Sequence, residues 1–249
     1  LGIDPEGETM DEIWSYPSIV GMLLYLSTNT RPDIAFAVSQ VARFNHSPKK
    51  THATAIKTIV RYLHRTQDFG TIVQPTGTLE VDCYVDADFG GLYRIDPDNE
   101  PSSAKSCTGY IINLGGCPLI WKSQLQTEIS LSTLEAEYSA LSQSMRTLLP
   151  IRSLLIEVSL ALELSATLRA SIHARVFEDN NGALLLATNQ RITSRTKYFH
   201  VKWHFFWKNV KDRDVGVYKV ATNLQRADYF TKGLVRELFE NNRKLVQGW

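Results

Sequence analysis

Four short stretches of the chain could do chemistry together. They are Tyr84-Val85-Asp86-Ala87-Asp88, Ser132-Thr133-Leu134-Glu135-Ala136-Glu137-Tyr138, Phe177-Glu178-Asp179-Asn180-Asn181 and Arg226-Ala227-Asp228-Tyr229. Each delivers one carboxylate from a separate predicted element, and each alone reads as an ordinary turn or cap. Phosphodiester hydrolysis needs a nucleophilic water and a stabilised departing oxygen, and two divalent ions roughly 3.5–4 Å apart supply both. Mg²⁺ wants hard oxygen ligands. Four carboxylates converging at one end of a sheet suit such ions. Without cations among them they would repel one another, which argues against a purely structural cluster.

The elements that must position these groups follow from periodicity. Residues 79–85 alternate as a strand that ends near Asp86. Residues 91–105 read as a loop. Residues 108–114 and 119–124 form two strands joined through Gly115-Gly116, a strong hairpin signal. A further strand is expected near 128–131, leading into a helix. There, Ser132 and Glu135 fit a capping box, and Leu134, Tyr138, Leu141, Met145 and Leu148 mark a buried stripe. At ~100° per residue, Glu137 lies about 60° from the stripe's centre and Glu135 about 100°. Glu135 has a structural job at the helix end. Glu137 has none and borders the buried face, so catalysis is assigned to Glu137 and capping to Glu135.

Helical character is expected to resume over 151–164 after a break at Pro150. Residues 174–177 read as a strand ending at Glu178-Asp179, and Asn180-Asn181-Gly182 opens a helix through Leu186. A continuous helix is expected over 197–211, with Phe199, Trp203, Phe206, Trp207 and Val210 on one side. Lys197, His200, His204, Lys208 and Lys211 line up on another. Two histidines at i, i+4 can hold a metal, but no third ligand is spaced to join them. The row fits a solvated face or a nucleic-acid-facing one. Residues 214–220 give the last strand, and Asn223 or Gln225 leads into the final helix with Asp228.

Upstream, residues 1–15 are acidic and irregular. Pro17 sits where helices start, and Thr30-Arg31-Pro32 opens a second helix that runs to Asn45. A third helix spans 51–65 with the stripe Ile56, Ile59, Val60 and Leu63. Its Lys57, Arg61 and Arg65 repeat on another face, either solvated or in contact with phosphates.

These motifs carry a resemblance. Val85-Asp86-Ala87-Asp88, Cys107-Thr108-Gly109-Tyr110, Trp121-Lys122-Ser123, Ser132 to Tyr138, Glu178-Asp179-Asn180, Arg195-Thr196-Lys197 with His204-Phe205, and Ala227-Asp228-Tyr229-Phe230-Thr231-Lys232 resemble the ribonuclease H domain of copia-type LTR retrotransposon polyproteins. Tyr16 to Gly21, Thr30 to Ala35 and Arg61-Tyr62-Leu63 resemble the C-terminal end of the same element's reverse transcriptase. Tyr198 and His200 depart from the family pattern, which has His and Asp there.

The resemblance implies an α/β, ribonuclease H-like fold, a mixed five-stranded sheet flanked by helices and preceded by a small all-helical subdomain. It implies three parts: 1–75, the end of the reverse transcriptase; 76–235, the ribonuclease H domain; and 236–249, a helical tail. Asp86, Glu137, Asp179 and Asp228 would bind two Mg²⁺ or Mn²⁺, with Asp88 in reserve near the metals. Lys57, Arg61, Arg65, Asn180, Arg195, Lys197, His204 and Lys208 would face nucleic acid. The substrate would be the RNA strand of an RNA–DNA hybrid, read by 2′-hydroxyls and shape. The upstream polymerase domain would be the partner. One rival is a non-catalytic scaffold that holds the duplex for the polymerase; a decayed module should have lost a carboxylate, and all four stand. Another is a DNA-cutting relative with the same sheet, whose acidic residues are placed differently.

Composition sets the remaining bounds. With 249 residues, 43% of them hydrophobic, the chain suits one large or two small domains. A net charge of +1 gives no global nucleic-acid signal, so binding must be local. Cys83, Cys107 and Cys117 lack zinc spacing and are expected to be reduced thiols without disulfides. No apolar run approaches the ~18 residues of a membrane span. The expectation is an intracellular piece of something longer, in the cytoplasm, in virus-like particles or in the nucleus.

Overall fold

The computed structural model describes residues 1–10, 13–91, 93, 101–194, 196–199 and 201–249. Its centre is a sheet of β1 (Val81–Asp88), β2 (Cys107–Leu114), β3 (Cys117–Leu125), β4 (Ala174–Glu178) and β5 (Val215–Lys219), in the order β3-β2-β1-β4-β5. The first three strands form an antiparallel meander, and β4 and β5 join parallel to β1. Gly115 and Gly116 make the β2–β3 turn with φ of 54° and 83°. Both are left-handed values, which a tight primed hairpin turn demands and glycine supplies at little cost.

Three α-helices precede the sheet: α1 (Tyr16–Asn29), α2 (Ala35–Ala42) and α3 (Lys50–Arg65). The second predicted helix is split, because Pro32–Ile34 forms a 3₁₀ turn before α2. On α3 the buried stripe is His52, Ala53, Ile56 and Ile59, while Val60 is 45% exposed, contrary to expectation. A buried Arg31–Asp33 ion pair at 2.6 Å, with Tyr62 donating to Asp33, ties the helical part together. This part seats on the sheet through Ala35, which packs with Ile111, Tyr229, Phe230 and Val246. Trp121 on β3 also donates to the Ser27 carbonyl.

The long helix α4 (Thr133–Ala161) covers one face of the sheet. The expected break at Pro150 does not occur. Proline removes one helical hydrogen bond, but Leu148, Leu149, Ile151 and Leu155 all pack against the core and carry the helix across the gap. The strand expected near 128–131 is also absent. The buried Gln126 amide donates to Thr108 Oγ1 and the Ala136 carbonyl and accepts from Ser130. That segment is therefore pinned to the start of α4 instead of lying along the sheet edge.

After α4 come α5 (Ala166–Ala170), α6 (Asn181–Asn189) and α7 (Trp207–Lys211). The continuous helix expected over 197–211 is corrected to a 3₁₀ turn at Val201–His204 followed by α7. Phe199, Trp203 and Phe206 still bury their rings, so the apolar stripe holds although the helix does not. The chain closes with α8 (Asp228–Thr231) and α9 (Arg236–Gln247). Asp228 therefore opens a four-residue helix and not the last one.

Candidate metal centre

Asp86, Glu137 and Asp179 each place a carboxylate oxygen within 4.8 Å of the others. Three elements bring them there. Asp86 lies inside β1, not past its end as its sequence context suggested, and is 4% exposed. Glu137 sits on the inner side of α4 and is 5% exposed. Asp179 follows the last residue of β4, which is parallel to β1, so the two strands point the same end of the sheet at Glu137.

The start of α4 divides its two glutamates by job. Ser132 caps the helix by accepting from the Glu135 amide at 3.2 Å. The Glu135 carboxylate accepts from the Leu131 amide, one residue upstream of the reciprocal bond expected in a capping box. Glu137 is left free of capping, and its Oε2 is buried with no hydrogen-bond partner.

Asp228, on α8, stands against Asp86 but is not one of the three carboxylates within 4.8 Å of one another. Lys232, one turn later, sits 2.8 Å from Asp228 Oδ1 and 3.8 Å from Asp86 Oδ2. Thr231 donates to Asp86 Oδ2. Two features hold α8 against the sheet. The buried Gln225 amide donates to the Val85 carbonyl on β1 and accepts from the Ala227 amide. Gly109, opposite Asp86 on β2, leaves room for α8, since a Cβ there would meet Thr231 and Phe230 side-chain carbons at 2.6 and 2.8 Å.

Crowded carboxylates hold protons. Burial, then the charges of Glu178, Asp86 and Asp179, push Glu137 up to about 10. Burial and Asp86 push Asp228 up to about 7, with Lys232 opposing. Burial also raises Asp88, which stands beside the group. The donors fit a divalent cation: hard oxygens, mostly buried, one with no partner, and carboxyls that favour protons when no cation neutralises them.

Glu178 was not singled out by the sequence reading. It is fully buried, its Oε1 accepts from the Asn180 amide at 2.9 Å, and its Oε2 has no partner. Burial, above all, raises its carboxyl well above the usual range. The strand period carried the signal, since Ala174, Val176 and Glu178 share one face of β4.

The residues expected to face nucleic acid are scattered in role. Lys57, Arg61 and Arg65 are exposed on α3, and Lys197 and Lys208 are exposed as well. Asn180 caps α6, its Oδ1 accepting from the Gly182 and Ala183 amides. His204 is half-buried, bonded to the Tyr138 hydroxyl at 2.8 Å and stacked on Trp207. Arg195 and His200 lie outside the described residues. All three cysteines are free thiols. Among the described residues no helix is long and apolar enough to cross a membrane.

A five-stranded mixed sheet in this strand order, flanked by helices, defines a ribonuclease H-like fold. The chain belongs to the retrovirus-related Pol polyproteins of copia-type transposons. It is 35% identical over 235 residues to the Pol polyprotein from transposon RE1 of Arabidopsis thaliana, covering 94% of this chain and 15% of that one. Against that from transposon TNT 1-94 of Nicotiana tabacum it is 36% identical over 235 residues, covering 93% and 16%. It thus spans about 15% of the length of such relatives. A secreted RxLR effector protein 161 of Plasmopara viticola is 38% identical over 129 residues, covering 52% of this chain and 85% of that one. No protein-family model matches. Among solved structures, RNase H1 of Halobacterium salinarum NRC-1 shares 11% identity at a TM-score of 0.33, covering 65% of this chain and 98% of that one. The N-terminal RNase H domain of a Mycobacterium tuberculosis protein shares 12% at 0.36, covering 67% and 98%. Scores of this size add nothing to the strand order itself.

Proposed function

We propose that the chain hydrolyses the RNA strand of RNA–DNA hybrids in a divalent-metal-dependent reaction, as the ribonuclease H portion of a transposon polyprotein. The observation that carries the reading is the convergence of Asp86, Glu137 and Asp179 within 4.8 Å in a largely buried setting. With Asp228 they are the residues that would hold Mg²⁺ or Mn²⁺. Bound there, such ions supply a nucleophilic water and neutralise the departing oxygen. The protein's own part is to hold four carboxylates at two strands of the sheet and two helices packed against it. Thr231 and Lys232 fix the directions of Asp86 and Asp228. Exposed cations such as Lys197 and Lys208 suit the sequence-independent contacts that place a duplex. On this reading α1 to α3 are the end of the reverse transcriptase, and the polymerase domain lies upstream.

The test is cleavage of a labelled RNA–DNA hybrid with Mg²⁺ or Mn²⁺, with wild type beside Asp86→Asn and Asp179→Asn. The expected result is cutting of the RNA strand by wild type and its loss in both variants. A chain that binds hybrid but never cuts, even in Mn²⁺ and with the polymerase portion restored, would be the scaffold instead.

A further inference from the structure

Glu178 is a fully buried carboxyl that the proposed reaction does not use. It ends β4 on the face shared by Ala174 and Val176, both buried in the core under α4. An apolar residue would continue that face at no electrostatic cost, whereas an ionised carboxylate buried with too few partners is strongly unfavourable. Its Oε1 is satisfied by the Asn180 amide alone, and its Oε2 has no partner. Glu137 on α4, whose carboxyl feels the charge of Glu178, also has a buried Oε2 without a partner. Asp86 on β1 and Asp179 on its own strand end add negative charge. The cation facing it is Lys219 on β5, and that ammonium is bonded to the Asp179 carbonyl. The two interacting carboxyls of Glu178 and Glu137 therefore each keep one buried oxygen without a hydrogen-bond partner among the described residues.

We propose that Glu178 is a fifth carboxylate of the centre, one that supports Glu137 and Asp179 in holding a divalent cation without being one of its direct ligands. It is not among the three carboxylates that converge within 4.8 Å, but it directly precedes Asp179 at the end of β4 and its charge acts on Glu137, so it is placed to support those ligands and raise their affinity. This rests on the metal-centre reading above.

The experiment measures Mn²⁺ binding to the full chain by calorimetry and electron paramagnetic resonance. It compares wild type, Glu178→Gln, Glu178→Asp and Asp86→Asn, with folding checked by circular dichroism in chelator. Glu178→Gln keeps shape and removes charge, so it should bind Mn²⁺ about tenfold more weakly. Glu178→Asp keeps the charge and should fall between it and wild type, and it carries the test should the Gln variant not fold. Unchanged affinity in a folded Glu178 variant, with binding lost in Asp86→Asn, overturns this proposal and leaves the metal centre standing. A wild type that binds no divalent cation overturns both.

Discussion

Gly109 stands directly across the β1–β2 ladder from Asp86, and its missing side chain is what lets α8 lie on the sheet. An added Cβ would sit 2.6 Å from Thr231 Cγ2, 2.8 Å from Phe230 Cβ and 3.0 Å from the Ala227 carbonyl oxygen. Two of those contacts are close to backbone and cannot swing aside. Gly109→Ala should therefore cost about 1–3 kcal/mol, the usual range for overpacking. It should also lift Asp228 and Thr231 away from Asp86, so cation binding should suffer more than stability does. Thermal melts with and without Mg²⁺ check this, and an alanine variant that melts and binds like wild type would sink it.

Lys232 stands where a cation would be welcome. Burial works against its charge, but Asp86 and Asp228 together hold its ammonium above the ordinary lysine range. Removing it leaves two close carboxylates uncompensated. Lys232→Met should melt lower than wild type in chelator and gain more from added Mg²⁺, because an internal competitor is gone. An unchanged Mg²⁺ response would show that the ammonium does not compete.

The raised carboxyls give the metal-free protein a definite pH dependence. Asp228, at about 7, and Glu137, at about 10, bind protons in the folded state that the unfolded chain has released near pH 4. A carboxyl raised on folding stabilises fully below its unfolded value, and that stability drains away as pH climbs through the folded value. Melting temperature in chelator should fall from about pH 4, through both groups up to about pH 7 and through Glu137 alone from there to about pH 10. Mn²⁺ affinity should rise over the same span, since a cation must displace those protons. An affinity flat in pH would mean the carboxyls are already ionised.

The carboxylates were legible because each sits beside a local signal. A β-type alternation precedes Asp86, an N-cap and stripe flank Glu137, and an Asn-capped helix follows Asp179. The hairpin was legible because Gly115-Gly116 has few other uses. What escaped depends on contacts distant in sequence. Pro150 reads as a break until the core packed on both sides of it is seen. The segment 128–131 reads as a strand until Gln126 is seen fastening it to α4. His204 reads as a surface residue on a helix that tertiary packing replaces with a 3₁₀ turn, and Tyr138 takes its ring nitrogen. Glu178 was within reach of the period-two pattern of β4, but Asp179 beside it drew the reading.

Asn180 offers a clean separation of two roles. Its Oδ1 accepts from both the Gly182 and Ala183 amides, so its side chain holds the first turn of α6 directly behind Asp179. Serine is an equally good N-cap, whereas alanine cannot accept at all. Asn180→Ala should lose about 1 kcal/mol of stability and Asn180→Ser little of it. If capping is the residue's whole job, hybrid affinity should follow stability, with serine like wild type. A serine variant that is as stable as wild type but binds hybrid several-fold more weakly would return Asn180 to the nucleic-acid face, acting through the amide hydrogens that serine lacks.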